Sequence, residues 1–281
     1  MSTPTVSQLW RYPVKSMQGE RHTTLSVGTL GVEGDRAFAT RDEVRGGIRG
    51  AKQLGDLMRF ASRWVDDSRQ AAIITLPSGD EVRTDAADVD EQLSKALDHA
   101  VTLWPLQPAT DTDHYRRGAN DDPDPISALR TTLALEPGEP LPDLTGLPPD
   151  AFTYVTPPGS YVDVFPLLLV SESALAALGA LAPDSAIDVR RFRPNIVVNG
   201  TEAGFAEDEW LGHRLRIGTM TARVEIRCMR CVMITRPFSD LPADRSIMRT
   251  LVRERAQCFG VYASVEQAGA VSLGDTVEIL D

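Results

Sequence analysis

Ala222-Arg-Val-Glu-Ile-Arg-Cys-Met-Arg-Cys231 is the stretch of sequence that decides the fold. Its first five residues alternate between apolar and polar side chains, which is the pattern of a half-buried β-strand. The strand continues directly into Cys228 and Cys231, which are separated by Met229 and Arg230. The stretch therefore predicts a strand whose end, or the loop that follows it, carries two thiols.

Short strands of this kind recur along the whole chain. Alternating or wholly apolar runs bounded by Gly and Pro occupy residues 6–10, 23–27, 35–40, 71–76, 81–84, 164–170, 196–199 and 215–217, and a turn followed by a strand occupies 271–280. Helical patterns lie near 54–65 and 89–97, at 172–181 after a capping Ser171 or Ser173, and at 245–255. Together they predict a mainly β (α+β) protein with barrel-like sheets and a few short helices.

The composition divides the chain into three parts. Prolines and aspartates concentrate between residues 105 and 158, which is typical of a long surface loop. We therefore predict an N-terminal β-barrel-like domain over 1–105, a proline-rich insert over 106–160 and a second β domain over 161–281. The insert either overhangs a site or is a solvated insertion without a role.

Charge and composition exclude several classes of protein. The 281 residues include 29 Lys and Arg against 40 Asp and Glu, a net charge of −11, which argues against nucleic acid as the partner but leaves room for a local basic pocket. The sequence has no apolar run long enough for a membrane span and no signal-peptide core at its start. Its 3 cysteines do not form a disulfide scaffold. We expect a cytoplasmic protein with no membrane partner.

The Cys228–Cys231 pair has several chemical interpretations. It resembles half of a zinc site, but the histidines show no ligand spacing and Cys258 is the one further cysteine. A redox dithiol is a second interpretation, although a βαβ pattern is missing. One thiolate binding a soft metal is a third, since Arg227 and Arg230 favour a thiolate. Two ordinary buried cysteines are the fourth.

Two basic segments are candidates for anion binding. Arg190, Arg191 and Arg193 stand just before the predicted strand 196–199, where arginines can clamp a phosphate by paired hydrogen bonds. The alternative is a solvated basic edge or an ion pair with Asp188. A weaker signal is the Lys15-Ser16 pair followed by Gly34-Asp-Arg36.

Seven motifs in one order make a family resemblance specific. They are Leu9-Trp-Arg-Tyr-Pro-Val-Lys-Ser16, Gly34-Asp-Arg36, Arg191-Phe-Arg-Pro-Asn-Ile-Val-Val198, Glu207-Asp-x-Trp210, Cys228-x-Arg-Cys231, Phe259-Gly-x-Tyr262 and Val271-x-Leu-Gly-Asp-x-Val277. With them the chain resembles MOSC-domain proteins that carry an N-terminal MOSC β-barrel domain, the group of the mitochondrial amidoxime-reducing component and its bacterial relatives. The resemblance runs from residue 6 to residue 280 and is weakest across the insert.

The resemblance implies a molybdenum cofactor, in which a pterin dithiolene with a phosphate holds the metal. By the family pattern, Cys231 is the thiolate on molybdenum, which agrees with the preference of soft ligands for such metals. The same pattern implies that the following residues bind or line the cofactor: Lys15, Ser16, Arg36, Arg193, Met229, Arg230 and Tyr262. Met229 departs from the serine of some relatives.

The resemblance also implies a reaction. We expect a molybdenum-dependent oxidoreductase that removes oxygen from N-hydroxylated or N-oxygenated small molecules. The cysteines are too few for an iron–sulfur cluster, so its electrons are expected from a separate donor protein. Two alternatives stay open: a non-catalytic carrier of the molybdenum cofactor or of sulfur, and a thiol or zinc protein that uses Cys228 and Cys231.

Other residues are given ordinary structural roles. We expect His22, His99 and His114 at the surface. Trp210 and Phe205 are expected in the core, and Cys258 is expected to be a buried small apolar residue.

Overall fold

A computed structural model of the protein describes residues 3–280. Its strands are β1 Thr5–Arg11, β2 Glu20–His22, β3 Thr24–Gly28, β4 Gly31–Val32, β5 Phe38–Asp42, β6 Ala61–Trp64, β7 Ala72–Thr75, β8 Glu81–Arg83, β9 Val101–Pro105, β10 Leu167–Ser171, β11 Ile196–Asn199, β12 Arg214–Ile217, β13 Met220–Met229, β14 Cys258–Gln267, β15 Gly269–Ser272 and β16 Val277–Leu280. Its helices are α1 Val89–Leu97, α2 Thr112–Tyr115, α3 Pro125–Thr132, α4 Glu172–Leu181 and α5 Ser246–Arg255. The predicted mainly β (α+β) class is confirmed.

The largest sheet has eight strands in the order β16-β12-β13-β14-β10-β11-β1-β2. In β13, Met220, Ala222 and Val224 are fully buried and alternate with half-buried polar residues. This is the alternation that the sequence from Ala222 to Ile226 predicts. The pairing of β13 with β14 shifts register between Arg227 and Met229. Such irregularities bend a strand and re-aim its side chains, and here the chain leaves the sheet at the two cysteines.

The N-terminal strands belong to this large sheet. Strand β1 pairs with β11, which also pairs in parallel with β10, and β3 pairs with β15 near the end of the chain. The segments 1–105 and 161–281 therefore share a sheet and a core, which includes Leu9, Ile196 and Val261. The division into domains at these boundaries stays a prediction.

A second core lies under the smaller sheets β5-β9 and β6-β7-β8 together with α1. It contains Phe60, Ile74 and Leu93 from the first hundred residues, and also Met233 and Phe238 from the segment after the cysteines. Strands β7 and β8 form the predicted hairpin, and α1 is the predicted helix at 89–97. Cys231 also packs against this second core.

The predicted helix at 54–65 is wrong. The structure has a 3₁₀ turn at Gly55–Arg59 followed by strand β6, which pairs with β7. The leucine spacing is misleading because Leu57, Met58 and Phe60 are all buried as one apolar run rather than along one helix face. A neighbouring strand that offers hydrogen bonds overrides weak helical spacing.

Helices α4 and α5 lie where the sequence predicts them, and the structure distinguishes between Ser171 and Ser173 as the N-cap of α4. The hydroxyl of Ser171 accepts a hydrogen bond from the backbone N–H of Ala174 at 3.0 Å, which makes Ser171 the N-cap. Ser173 instead contacts the hydroxyl of Thr201 at 2.9 Å.

Several predicted environments are corrected by the structure. His114 is buried, not at the surface, because its Nε2 lies 2.6 Å from the hydroxyl of Tyr161 inside an aromatic cluster. His22 and His99 are half-buried beside Glu20 and Asp42. Cys258 is half-buried instead of buried.

Trp210 is buried as predicted, and Phe205 packs against a buried cluster. Within residues 3–280, no helix combines the length and the apolar character that crossing a bilayer requires.

Candidate functional site

A cavity of about 540 Å³ lies where the N-terminal part, the insert and the C-terminal part meet. That volume falls in the range of small-molecule sites. The structure brings all eight predicted site residues to its wall: Lys15, Ser16, Arg36, Arg193, Met229, Arg230, Cys231 and Tyr262. Their roles in binding stay predictions, but their convergence on one cavity is a fact of the fold.

Lys15 and Ser16 follow β1 and turn into the cavity wall. The Lys15 ammonium group donates to the carbonyl of Tyr161 at 2.9 Å and to the carboxylate of Asp163 at 2.5 Å. Burial lowers the pKa of Lys15 to about 8, although Asp163 opposes the change. Ser16 Oγ accepts from the backbone N–H of Ala51 at 2.9 Å.

Asp163 and Lys52 complete an ion cluster that the sequence did not reveal. Lys52 Nζ lies 3.4 Å from the second carboxylate oxygen of Asp163. Burial acts to raise the pKa of Asp163, but the Lys15 and Lys52 ammonium groups outweigh it and hold that pKa well below its usual range. The carboxylate therefore stays charged and fixes both lysines.

Tyr12 lies between two cavity arginines. Its ring centroid is 5.0 Å from the Arg36 guanidinium carbon and 4.2 Å from that of Arg193, which are cation–π distances. Asp35 forms an ion pair with Arg36 and accepts a hydrogen bond from the amide of Asn195 at 3.2 Å. The ring and the carboxylate together orient Arg36 and the strand entrance that carries Arg193.

Three cavity residues have an uncommon backbone conformation. The φ angles of Ser16, Arg36 and Arg193 are 71°, 48° and 58°, a region that few residues other than glycine adopt. Such strain persists where the surrounding structure fixes it, and it is frequent at ligand sites. The Cβ of an alanine at Gly50 would lie 2.4 Å from Ser16 Oγ, so a larger residue there would displace the Ser16 hydroxyl.

Arg193 has an unused donor in the cavity. It donates to the carbonyl of Met17, but its Nη2 is buried and has no hydrogen-bond partner among the described residues. Burial lowers the pKa of this guanidinium to about 10. A buried N–H without an acceptor is costly, and an anionic oxygen in the cavity would satisfy it.

The other two arginines of this segment do different work. Arg190 forms ion pairs with Asp188 and Asp240, at 2.7 and 2.8 Å, which is the ion-pair alternative left open by the sequence. The guanidinium of fully buried Arg191 donates to four backbone carbonyls, those of Ala186, Ile234, Arg236 and Pro242. The predicted three-arginine clamp is thus reduced to Arg193.

The two cysteines of the loop face different surroundings. Cys228 is buried, and its sulfur lies 2.8 Å from Nη1 of Arg230. Burial raises the pKa of that thiol. Cys231 is half-buried and lines the cavity. Of the three cysteines, Cys231 is the one that can reach a ligand there.

Arg230 joins the cysteine loop to the cavity. Its Nη2 donates to the carbonyl of Phe192 at 2.8 Å, and its Nε is buried without a partner in the described part of the chain. Burial opposes the charge of Arg230, but Cys228 and Tyr262 raise its pKa.

The cavity is strongly basic within an acidic protein. Seven cationic residues line it, against the single carboxylate of Asp163: Lys15, Arg36, Lys52, Arg117, Arg191, Arg193 and Arg230. Excess buried positive charge favours an anionic ligand. No group of three or more His, Cys, Asp or Glu side chains suited to a metal occurs in residues 3–280. One soft thiol beside an anion cradle is therefore the donor set that the cavity offers.

The residues that sequence reasoning missed carry different signals. Tyr12, Asp35 and Asn195 lie inside the quoted motifs, directly beside predicted site residues, and that adjacency could have identified them. Lys52 and Asp163 lie in segments without a motif. Only the fold brings them to Lys15.

The insert covers this cavity. Helix α3 and the segment that follows it line the cavity with apolar side chains, including Leu129, Leu147 and Val155. Of the two alternatives for the insert, the structure supports the one in which it overhangs a site.

Comparison with protein-family models gives two matches. A model described as "MOSC domain" matches residues 158–278, and a model described as "MOSC N-terminal beta barrel domain" matches residues 3–113. Each of the eight predicted site residues lies in one of the two matched regions, whereas most of the insert lies between them.

Curated relatives match about two fifths of the chain. The Bos taurus "Mitochondrial amidoxime reducing component 2" is 32% identical over 136 residues, which are 42% of this chain and 38% of that protein. The Xenopus laevis "Mitochondrial amidoxime-reducing component 1" is 34% identical over 131 residues, 42% of this chain and 37% of that protein. The chain thus spans well under half the length of these relatives.

Among solved structures, the YUAD protein from Bacillus subtilis aligns over 99% of this chain and 96% of its own, with 12% sequence identity and a TM-score of 0.46.

Proposed function

Because this chain belongs to the MOSC-domain proteins that carry an N-terminal MOSC β-barrel domain, we propose that it binds a molybdenum cofactor in the basic cavity. We further propose that it reduces N-hydroxylated or N-oxygenated small molecules with electrons from a separate donor protein. The observation that carries the proposal is the buried, unpartnered Nη2 of Arg193 in the same cavity as Cys231. An anionic cofactor that also offers a soft metal fits both groups.

The chain's own residues divide the work of holding this group. Arg193 and Arg36, oriented by Tyr12, would bind the phosphate and pterin, and Lys15 would add a third positive charge. Cys231 would bind the metal as a thiolate, while Arg230 secures the loop through Cys228. When bound, the molybdenum supplies the two-electron chemistry that breaks a nitrogen–oxygen bond.

The residues also serve the proton balance of this reaction. Reduction of an N-hydroxyl group takes two electrons and two protons and releases water. Lys15, with its pKa near 8, holds a proton at neutral pH inside the cavity. Asp163 keeps its ammonium group fixed at 2.5 Å, so this proton is held at a defined place in the cavity wall.

The test is a reductase assay on protein made in a host that synthesises the cofactor. Reduced methyl viologen serves as electron donor, and hydroxylamine and benzamidoxime serve as substrates. We expect substrate-dependent viologen oxidation that parallels molybdenum content across preparations. Loaded protein that passes its cofactor to an apo-enzyme but reduces neither substrate would overturn the reductase and support a carrier.

A further inference from the structure

Helix α3 presents an apolar face to the cavity. Ile126, Leu129 and Leu133 stand at positions i, i+3 and i+7, which is one face of a helix, and all three line the cavity. Leu133, which directly follows α3, is 4% exposed, but no residue of α3 itself is buried and Ile126 is 53% exposed. This face therefore packs only partly against protein.

The apolar surface continues on both sides of the helix. Leu147 and Phe152 extend it along the insert, and Phe152 is 58% exposed although it lines the cavity. Ile226 and Met229 extend it along β13 as far as the cysteine loop. We call Ile126, Leu129, Leu147, Phe152 and Ile226 the apolar wall.

The apolar wall is held in place by bonds to α5, to the residue before β14 and within the insert itself. Gln257 Nε2 donates to the carbonyl of Leu133 at 2.8 Å, and Arg249 forms an ion pair with Glu139. Arg117 donates to the carbonyl of Ala151 at 2.6 Å. At Gly146 an added Cβ would lie 3.2 Å from Ile226, so the insert lies directly against β13.

An apolar surface that faces an open cavity gains free energy when an apolar ligand covers it. The cations of the same cavity disfavour a cationic ligand there, and the apolar wall itself offers no charged partner to an anion. An occupant that suits both regions is uncharged, with a small polar end towards Cys231 and an apolar body on the wall.

We propose that the apolar wall binds the apolar body of the substrate, so that side chains of the insert set the preference for substrates with a larger apolar group. This inference rests on the proposed function, whose substrates it narrows. Most of the insert lies outside the two family matches, and in this proposal its side chains set the substrate preference.

The experiment measures binding rather than turnover. Benzamidoxime and acetamidoxime share the N-hydroxyamidine group and differ in phenyl against methyl. Calorimetric titration of the purified holoprotein, without reductant, gives the dissociation constant of each. We expect benzamidoxime to bind about tenfold more tightly, because the phenyl group buries more apolar surface. In Leu129→Asn and Ile126→Asn the ratio should fall to about threefold or less.

Three controls keep the outcome clear. Leu129→Ile should keep the ratio, and so should Leu141→Asn, a change on the same insert at a residue that is 40% exposed and does not line the cavity. Molybdenum content should be equal in all variants. A wild-type ratio near one, or a ratio unchanged by both wall variants, overturns the subsite. Protein without molybdenum or reductase activity counts against the proposed function, while the binding ratio still decides the inference.

Discussion

Arg193 combines features that a purely structural arginine lacks. It is buried, has a positive φ, packs on Tyr12 and leaves Nη2 without an acceptor. Arg191, two residues earlier, is equally buried but donates only to backbone carbonyls. The same residue type therefore serves the fold at one position and faces a ligand cavity at the other.

Arg193→Lys is expected to lower cofactor occupancy severalfold, because lysine keeps the charge but loses the planar fork that holds a phosphate. The matched control is Arg190→Lys, whose side chain pairs with Asp188 at 2.7 Å instead. Molybdenum and pterin content per chain measure the effect. Equal occupancy in wild type and Arg193→Lys would remove Arg193 from the binding site.

Lys15 predicts a pH dependence of anion binding. Its pKa lies near 8, so the ammonium group is charged below that pH and neutral above it. We expect sulfate to bind cofactor-free protein about tenfold more weakly at pH 9 than at pH 7, because sulfate keeps its charge over this range. Lys15→Arg should abolish the change. A flat wild-type profile would contradict the position of Lys15 in the anion site.

At the scale of elements, the residue that caps helix α4 is hydrogen-bonded to the buried carboxyl group of Glu207. Glu207 is 1% exposed, accepts a hydrogen bond from the capping hydroxyl of Ser171 at 2.5 Å, and leaves its other oxygen without a partner in the described residues. Burial raises the pKa of Glu207 to about 7. The folded protein therefore binds this proton more tightly than the unfolded chain does.

The stabilisation from this proton is full below the unfolded pKa of Glu207 and is lost as pH rises through about 7. Between pH 5 and pH 8 it should remove about 2–3 kcal/mol from the free energy of unfolding. Glu207→Gln should lose this dependence and be the more stable protein at pH 8. Urea unfolding at both pH values measures the free energy of unfolding of each protein. The same change between the two pH values in wild type and Glu207→Gln would refute this role of Glu207.

Elements were predictable where local pattern and tertiary contacts agree. Strand β13 alternates in sequence because one face meets the core, and α4 shows its cap as a serine. The segment 54–65 was misread because its apolar residues are buried on all sides, so that their spacing carries no helix information. His114 was misplaced because its partners, Trp104 and Tyr161, are far from it in sequence.

At the scale of the whole molecule, strands from the N-terminal part of the chain pair with strands from the C-terminal part. Strand β1 lies between β11 and β2 in the large sheet, and the N-terminal β3 pairs with β15. Removal of residues 1–160 would take away β1 with its buried side chains Val6 and Leu9. The edge of β11 and the apolar side chains that pack against these two residues would then be exposed to water. We therefore expect the two halves to fold together.

A fragment of residues 161–281 should not fold alone, because it lacks β1 and β3. We expect a spectrum without dispersed amide signals in proton–nitrogen correlation NMR, and recovery of dispersion when the fragment is co-expressed with residues 1–160. A well-dispersed spectrum from the fragment by itself would show that the large sheet tolerates the loss of its N-terminal strands.

The candidate site was predictable to the extent that its residues carry motifs. The segments with Lys15, Arg36, Arg193 and Cys231 are recognisable as family patterns, so their meeting could be expected. Lys52, Asp163 and the apolar wall arise from the path of the insert, which has no motif. The local sequence does not indicate which segments of the chain will face each other across a cavity.

Cys231 is the residue on which the proposed binding of molybdenum depends. Molybdenum, zinc and pterin are measured in wild type, Cys231→Ala and the control Cys258→Ala, all made in a host that synthesises the cofactor. We predict about one molybdenum and one pterin per chain in wild type and the control, with the metal lost or loosely held in Cys231→Ala. Wild-type protein that contains neither molybdenum nor pterin, or that contains zinc in their place, would show that the cavity does not bind the molybdenum cofactor.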